Sequence, residues 1–200
     1  MIDLIKEYGL KKVLKNRYEE IQNLYKNDKL PWVIGYSGGK DSTATLQLII
    51  NALSELPKEE LNKKVFVVSS DTLVENPLIL QYLEKNIDLI NEYGNENRLP
   101  IEAHILQPEV EESFWTLMIG KGYPTPRQKF RWCTDRLKIK PIDKFIKSKI
   151  DEYGKVIVIL GTRRDESASR AQVMEEHSID GKLLKRHTSL NNAYVYSPIE

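Results

Sequence analysis

Six residues constrain this chain more than any others: Ser37-Gly38-Gly39-Lys40-Asp41-Ser42. They follow the apolar run Pro31-Trp32-Val33-Ile34-Gly35-Tyr36, which reads as a short buried strand, and they precede a Leu-, Ile- and Ala-rich helix over 42–53. Glycines between a strand and a helix let backbone N–H groups come close to an anion. The helix N-terminus adds unpaired donors and a partial positive charge. Lys40 supplies a mobile point charge, and Ser37 and Ser42 supply hydroxyls. The competing reading is a plain glycine turn in which Asp41 or Ser42 caps the helix.

The strand–helix unit recurs. A second apolar run, Val65 to Ser70, ends at Asp71, and a helix is expected over 78–93 with Pro77 at its first turn and Gly94 as its stop. Residues 101–106 form a third strand, then a helix is expected around 113–119, a Gly/Pro/basic stretch over 120–136 and an amphipathic helix over 141–150. Val156 to Leu160 is a fourth strand, and residues 166–174 are expected to be helical. Ahead of all this, Ile5, Leu10, Val13, Leu14, Ile21 and Leu24 space out as one or two amphipathic helices over 2–25. Strands alternating with helices predict an α/β fold with a parallel, doubly wound sheet covered on both faces. The division expected is a helical segment over 1–29 and the α/β domain over 30–200. Residues 194–200 begin like another strand and its exit loop, so the domain is expected to continue beyond Glu200.

At 200 residues and 23.2 kDa, one domain suffices. With 40% hydrophobic and 30% charged residues the chain has a globular composition. Its longest aliphatic run, residues 156–160, falls far short of the roughly 20 residues a membrane span needs. Met1 to Glu7 has acids and no apolar core of a signal peptide, so a cytoplasmic protein with no membrane partner is expected. The single cysteine, Cys133, excludes an internal disulfide framework and a four-cysteine metal site. Net charge is only +1, but residues 121–149 hold ten Lys and Arg against two acids, a net of +8, and the rest carries −7.

The loop is not a Walker A sequence: three residues, not four, separate Gly35 from Gly39, and Lys40 precedes an acid. It matches instead the SGGxDS loop of the PP-loop ATP pyrophosphatase superfamily, which splits ATP into AMP and pyrophosphate. Ser70-Asp71-Thr72 resembles the Asp-Thr pair that the PAPS reductase (sulfonucleotide reductase) branch carries at the same strand end. Gly161-Thr162-Arg163-Arg164-Asp165-Glu166-Ser167-Ala168-Ser169-Arg170 resembles that branch's GxRRxESxxR segment. The plainer alternatives are a loop aspartate capping the next helix and a salt-bridged helix start.

Residues 129–141, centred on Cys133 and closed by Pro141, resemble the cysteine-then-Arg/Lys-then-Pro segment of the same branch. Cluster-bearing reductases have two neighbouring cysteines there, whereas Trp132 stands before Cys133 here. With Gly120-Lys121-Gly122-Tyr123-Pro124 and residues 69–77, this is similar to the DndC-type sulfurtransferases of DNA phosphorothioation. That resemblance implies adenylation of a DNA backbone phosphate by ATP with Mg2+, followed by sulfur insertion. It also implies a 4Fe–4S cluster with ligands besides Cys133 outside this chain. The partners implied are DNA, a cysteine desulfurase as sulfur donor, and other proteins of the phosphorothioation complex.

The residues expected to hold nucleotide are Ser37, Gly38, Gly39, Lys40, Asp41, Ser42, Asp71, Thr72, Arg163, Arg164, Glu166 and Arg170. Lys40, Asp41, Arg163 and Arg164 are the catalytic candidates. Cys133, between Arg131 and Arg136, is expected to be a metal ligand or a reactive thiolate rather than an inert buried side chain. His104, His177 and His187 lack metal-ligand spacing. Trp32, Trp115 and Trp132 are expected to pack, with Trp132 the candidate to stack on a base if exposed. The rival functions are a PAPS or APS reductase and a nucleotide-dependent DNA-binding subunit without chemistry, with Phe130 and Trp132 as its stacking groups.

Overall fold

A computed structural model of the chain describes residues 7–128, 130–163 and 183–200. Helix α1 (Leu10–Lys26) leads to β1 (Trp32–Gly35), α2 (Lys40–Ser54), β2 (Val65–Ser70), α3 (Pro77–Glu96) and β3 (Ile101–Leu106). After an irregular stretch come α4 (Lys140–Tyr153), β4 (Val156–Ile159), β5 (Lys185–Arg186) and β6 (Ala193–Tyr196). The six strands form one sheet in the order β3-β2-β1-β4-β6-β5. Every pairing is parallel except that of β5 with β6, so the expected parallel sheet carries one short antiparallel edge.

The central strands are buried on both faces, which is why they read as unbroken apolar runs. Trp32, Ile34, Val65, Val67, Ile157 and Ile159 pack with Ile21, Ile49, Leu53 and Ile87 of α1, α2 and α3. Their neighbours Val33, Phe66, Val68, Val156 and Val158 face the other way, against Ile146 of α4. Each interior position of β1, β2 and β4 thus serves one of two cores, as the period of two requires. Among the described residues no helix is long and apolar enough to cross a membrane.

Three local expectations need correction. Gly94 does not stop α3, which runs on to Glu96. A Cβ at Gly94 would lie 3.3 Å from the Ile101 carbonyl oxygen, so the glycine serves the close approach of α3 to β3. The helix ends instead at Asn97, whose side-chain amide donates to the Tyr93 carbonyl, and the chain turns away through Arg98 at φ 50°. The helix expected around 113–119 is present over 114–120, but its last five residues, Thr116–Gly120, are π-helical. The helix expected over 141–150 is longer: α4 reaches Tyr153 and is preceded without a break by a π-helical turn, Asp135–Ile139, and a short turn, Trp132–Thr134. The helix expected over 166–174 lies outside the described residues.

Helix α1 is fastened to the sheet at two places. Tyr25 donates to the Lys63 carbonyl (2.8 Å), and the buried Lys63 ammonium pairs with Asp28 at 2.8 Å. Farther along, the buried Tyr196 hydroxyl donates to Glu20, which also holds Arg17. Burial, then the bond to Glu20, pushes the Tyr196 phenol far above its ordinary range. The folded phenol stays protonated where the unfolded one ionises, near pH 10. The unfolded chain then binds fewer protons, so this contribution is complete below pH 10 and fades above it by about 1.4 kcal/mol per pH unit. Tyr196→Phe is expected to remove one proton's worth of that slope, read from urea unfolding between pH 9 and 11.5. An unchanged slope would show that the phenol titrates alike in both states.

Candidate functional site

From β1 the chain moves to β2 and β3 on one side, then returns to place β4 on the other. The crevice beyond the carboxyl ends of β1 and β4 is therefore the switch point where open α/β sheets take ligands. A cavity of about 610 Å³ opens there. Its floor is the Ser37–Ser42 loop, with Ser69, Ser70 and Asp71 beyond β2 and Gly161 and Thr162 beyond β4 along its rim.

The loop is braced from within. Gly38 takes φ 71°, a left-handed conformation that glycine adopts at no steric cost. The Ser42 hydroxyl accepts the Ser37 N–H (3.2 Å) and donates to the Gly39 carbonyl (3.0 Å), and the Ser37 hydroxyl lies 3.1 Å from it. Gly39 is the N-cap of α2, and no side chain caps the helix. Neither Asp41 nor Ser42 fills the capping role that the sequence left open. The amides of Lys40, Asp41 and Ser42 find no acceptor among the described residues, so the first turn offers its donors and dipole to the cavity.

Lys40 is exposed and makes no ion pair among the described residues. Asp41 lies 3.4 Å from an Arg163 terminal nitrogen, which joins the loop to the exit of β4. Gly161 makes that junction possible: a Cβ there would sit 2.8 Å from the Asp41 carbonyl oxygen and 3.0 Å from the Ser42 nitrogen. Asp71 is buried, with one carboxylate oxygen accepting the Leu73 N–H (2.8 Å) and the other the Gln107 side-chain amide (3.0 Å). Thr72, also buried, is 3.1 Å from Glu75. Asp71 thus shapes a turn, while Asn76 caps α3 by accepting the Leu78 N–H. Arg164, Glu166 and Arg170 lie outside the described residues.

Several cavity residues escaped the sequence reading. Tyr36, Ile79, Leu80, Tyr82, Leu83 and Ile142 give it an apolar wall, and Lys138 pairs with Glu75 at 3.2 Å beside it. Tyr36 directly follows the β1 run, a position that could have marked it. Nothing local marks Tyr82 or Lys138, which meet the loop only through the packing of α3 and the 132–153 helical segment.

The basic segment looks different once folded. Arg136 and Lys140 both bind Glu112 (2.8 Å each), Lys144 binds Glu109, Lys138 binds Glu75 and Lys149 binds Glu152. Among the described residues five of the ten bases are thus paired, all of them with acids from outside the segment. Arg136 is committed to Glu112, whose carboxyl these two cations hold below its ordinary range, rather than to Cys133. Arg131 donates to the Gln128 carbonyl. Trp132 is buried, stacked on Phe114 at 5.4 Å and bonded through its indole N–H to the Pro124 carbonyl. It is no base-stacking group. Trp115, expected to pack, is 59% exposed and touches Phe114 edge-on.

Cys133 is half-buried and is not among the cavity's lining residues. No group of three or more His, Cys, Asp or Glu residues gathers as a metal site among the described residues. One thiolate does not make a 4Fe–4S site, so the described residues do not by themselves fit that cluster.

Comparison with known proteins agrees with this layout. The model of the phosphoadenosine phosphosulfate reductase domain family matches residues 31–185. An uncharacterized protein of Methanocaldococcus jannaschii is 32% identical over 163 residues, which is 82% of this chain and 29% of that protein. The chain therefore spans under a third of the length of this relative. The phosphoadenylyl-sulfate reductase of Candida auris, solved with phosphate, has a TM-score of 0.51 at 14% identity, covering 91% of this chain and 71% of the other. The U34-tRNA thiolase of Methanococcus maripaludis, solved with its 4Fe–4S cluster, gives 0.51 at 17% identity, covering 96% and 61%. At such identities the likeness is one of fold.

Proposed function

Because the chain belongs to the phosphoadenosine phosphosulfate reductase domain family, we propose that it activates an oxygen by adenylation so that sulfur can replace it. The observation that carries this reading is the uncapped first turn of α2, at the floor of the switch-point cavity, where three amides and Lys40 have no partner among the described residues. ATP would lay its phosphates on Ser37–Ser42 and its base against the apolar wall. An acceptor oxygen attacks the α-phosphorus and pyrophosphate leaves. A sulfur nucleophile then displaces the adenylated oxygen, releasing AMP. Lys40 and Arg163, with Arg164 and Arg170 as the further candidates from the sequence, would offset charge developing on the leaving group. Such catalysis is mostly positioning and electrostatic stabilisation. Asp41 orients Arg163. Mg2+ would enter on the triphosphate, within reach of Asp41.

The acceptor in this reading is a DNA backbone phosphate, with a cysteine desulfurase supplying the sulfur and other proteins completing a cytoplasmic phosphorothioation complex. What supports it is the similarity of residues 69–77 and 120–141 to the sulfurtransferases of that system. The test uses the full-length natural protein with α- and γ-labelled ATP and DNA. AMP and pyrophosphate are expected, together with phosphorothioate-linked dinucleotides in nuclease digests read by mass spectrometry. ADP and phosphate would overturn the reading. Sulfite release from phosphosulfate with thioredoxin would make the protein a reductase, and nucleotide binding without turnover would leave a binding subunit.

A further inference from the structure

We propose that the loop over 113–131 is a nucleic-acid docking face beside the cavity, with Lys121, Arg127 and Arg131 on phosphates and Trp115 and Phe130 against bases. This rests on the reading of a nucleic-acid acceptor and says where the strand is held. The fold sorts the ten bases of the segment into two kinds. Those from Arg136 onward are mostly paired with Glu75, Glu109, Glu112 and Glu152. By contrast, Lys121, Arg127 and Arg131 are exposed and form no ion pair among the described residues. Residues 113–134 contain four bases and no acid. A base already paired with a carboxylate must give up that partner to neutralise a phosphate, whereas a free one neutralises it directly and releases the cation condensed on the strand.

The same loop exposes two aromatic side chains, Trp115 at 59% and Phe130 at 47%. Neither is loosely held. Trp115 stands edge-on against Phe114 at 5.2 Å, and Phe114 stacks on the buried Trp132. Phe130 is fixed by paired backbone hydrogen bonds with Arg127 (2.8 and 3.1 Å). Exposed rings between exposed cations form the platform on which unpaired bases stack. The helical segment that starts at Trp132 supplies Lys138 and Ile142 to the cavity wall, so the loop leads directly into an element that lines the proposed reaction site. Charge decides the occupant: an apolar partner gains nothing from three free cations, and a polyanion does.

The test is equilibrium binding of a single-stranded and a duplex 20-mer to the full-length natural protein, without nucleotide, across a salt series. Each phosphate contact adds about −0.7 to the log–log salt slope for a single strand and about −0.9 for duplex. The triple variant Lys121→Ala, Arg127→Ala, Arg131→Ala is expected to flatten the slope by about two to three. That corresponds to a loss of roughly twenty- to forty-fold less affinity between 50 and 200 mM salt than in the wild type. Lys140→Ala with Lys144→Ala, which also removes paired charge, is expected to change the slope by less than about 0.5. Trp115→Ala is expected to weaken single-strand binding at least about fivefold. Trp115→Phe keeps binding but loses the fluorescence quench, since Trp32 and Trp132 are buried.

Equal slopes for the triple variant and the wild type would overturn the proposal, as would equal losses from both sets. So would a triple variant that binds DNA normally but no longer retains the purified desulfurase, which would make this a protein interface. Formation of AMP in the presence of DNA reports separately on the acceptor reading. If that persists while loop variants bind normally, the docking face alone fails.

Discussion

Lys40→Ala is expected to slow AMP formation by about 10²–10³-fold while leaving the melting midpoint within a degree or two of the wild type. The two halves of that result have separate causes. The side chain is exposed and makes no ion pair among the described residues, so its removal breaks nothing that holds the fold together. Surface changes of that kind stay within about 0.5 kcal/mol. The reaction is another matter. In the proposed reaction pyrophosphate leaves with charge that did not exist in the ground state, and a donor placed where charge develops is worth about 2.7–4 kcal/mol in an excluded site. The amides of Lys40, Asp41 and Ser42 remain after the substitution, so nucleotide binding is expected to fall much less than turnover. Lys40→Arg keeps the charge on a bulkier, planar group and should recover part of the rate. The measurement is steady-state release of labelled AMP, with affinity taken separately by calorimetry. A variant that turns over within threefold of the wild type would remove Lys40 from the reacting centre.

How far such a site can be read from sequence depends on whether its parts are neighbours along the chain. The central strands were legible because burial on both faces makes Val65 to Ser70 and Val156 to Leu160 uniformly apolar. The loop was legible because its glycines and hydroxyls brace one another within six residues. Gly94 misled because a glycine near a helix end signals either a stop or a close contact, and only the distance to Ile101 decides between them. Trp132 packs as expected whereas Trp115 does not, for a similar reason. Both rings meet Phe114, and only the fold decides that one of them is buried there and the other left exposed. The net charge of residues 121–149 overstated the free charge, because Glu75, Glu109 and Glu112 reach it from outside the window. A count along the chain sees proximity in sequence, whereas electrostatics acts on proximity in space.

Gly161→Ala is the substitution that tests this spatial junction most directly, and it is expected to damage both stability and nucleotide binding. Its new methyl group would lie 2.8 Å from the Asp41 carbonyl oxygen, 2.9 Å from the carbonyl carbon and 3.0 Å from the Ser42 nitrogen. All three are backbone atoms, so no side-chain rotation relieves the clash. Either the exit of β4 or the first turn of α2 has to move. Overpacking of this kind costs about 1–3 kcal/mol. In a chain of this size each kcal/mol lowers the melting point by about 2–4 °C, so a fall of roughly 2–12 °C is expected. Movement of α2 also shifts the amides and Lys40 away from the proposed phosphate site, and a displacement near 1 Å is enough to cost about 10²-fold in rate. Two other glycines calibrate the effect. At Gly35 the added methyl would meet the end of the Leu160 side chain at 3.1 Å, a flexible group, and the Ile159 carbonyl oxygen at an ordinary 3.9 Å. At Gly120 the nearest atom is the Thr116 methyl, at 3.8 Å, an ordinary contact. The expected order of damage, by thermal melts and ATP titration, is therefore Gly161→Ala well beyond Gly35→Ala, with Gly120→Ala near wild type. Equal behaviour of all three would mean that the loop keeps its shape without the close approach of β4 to α2.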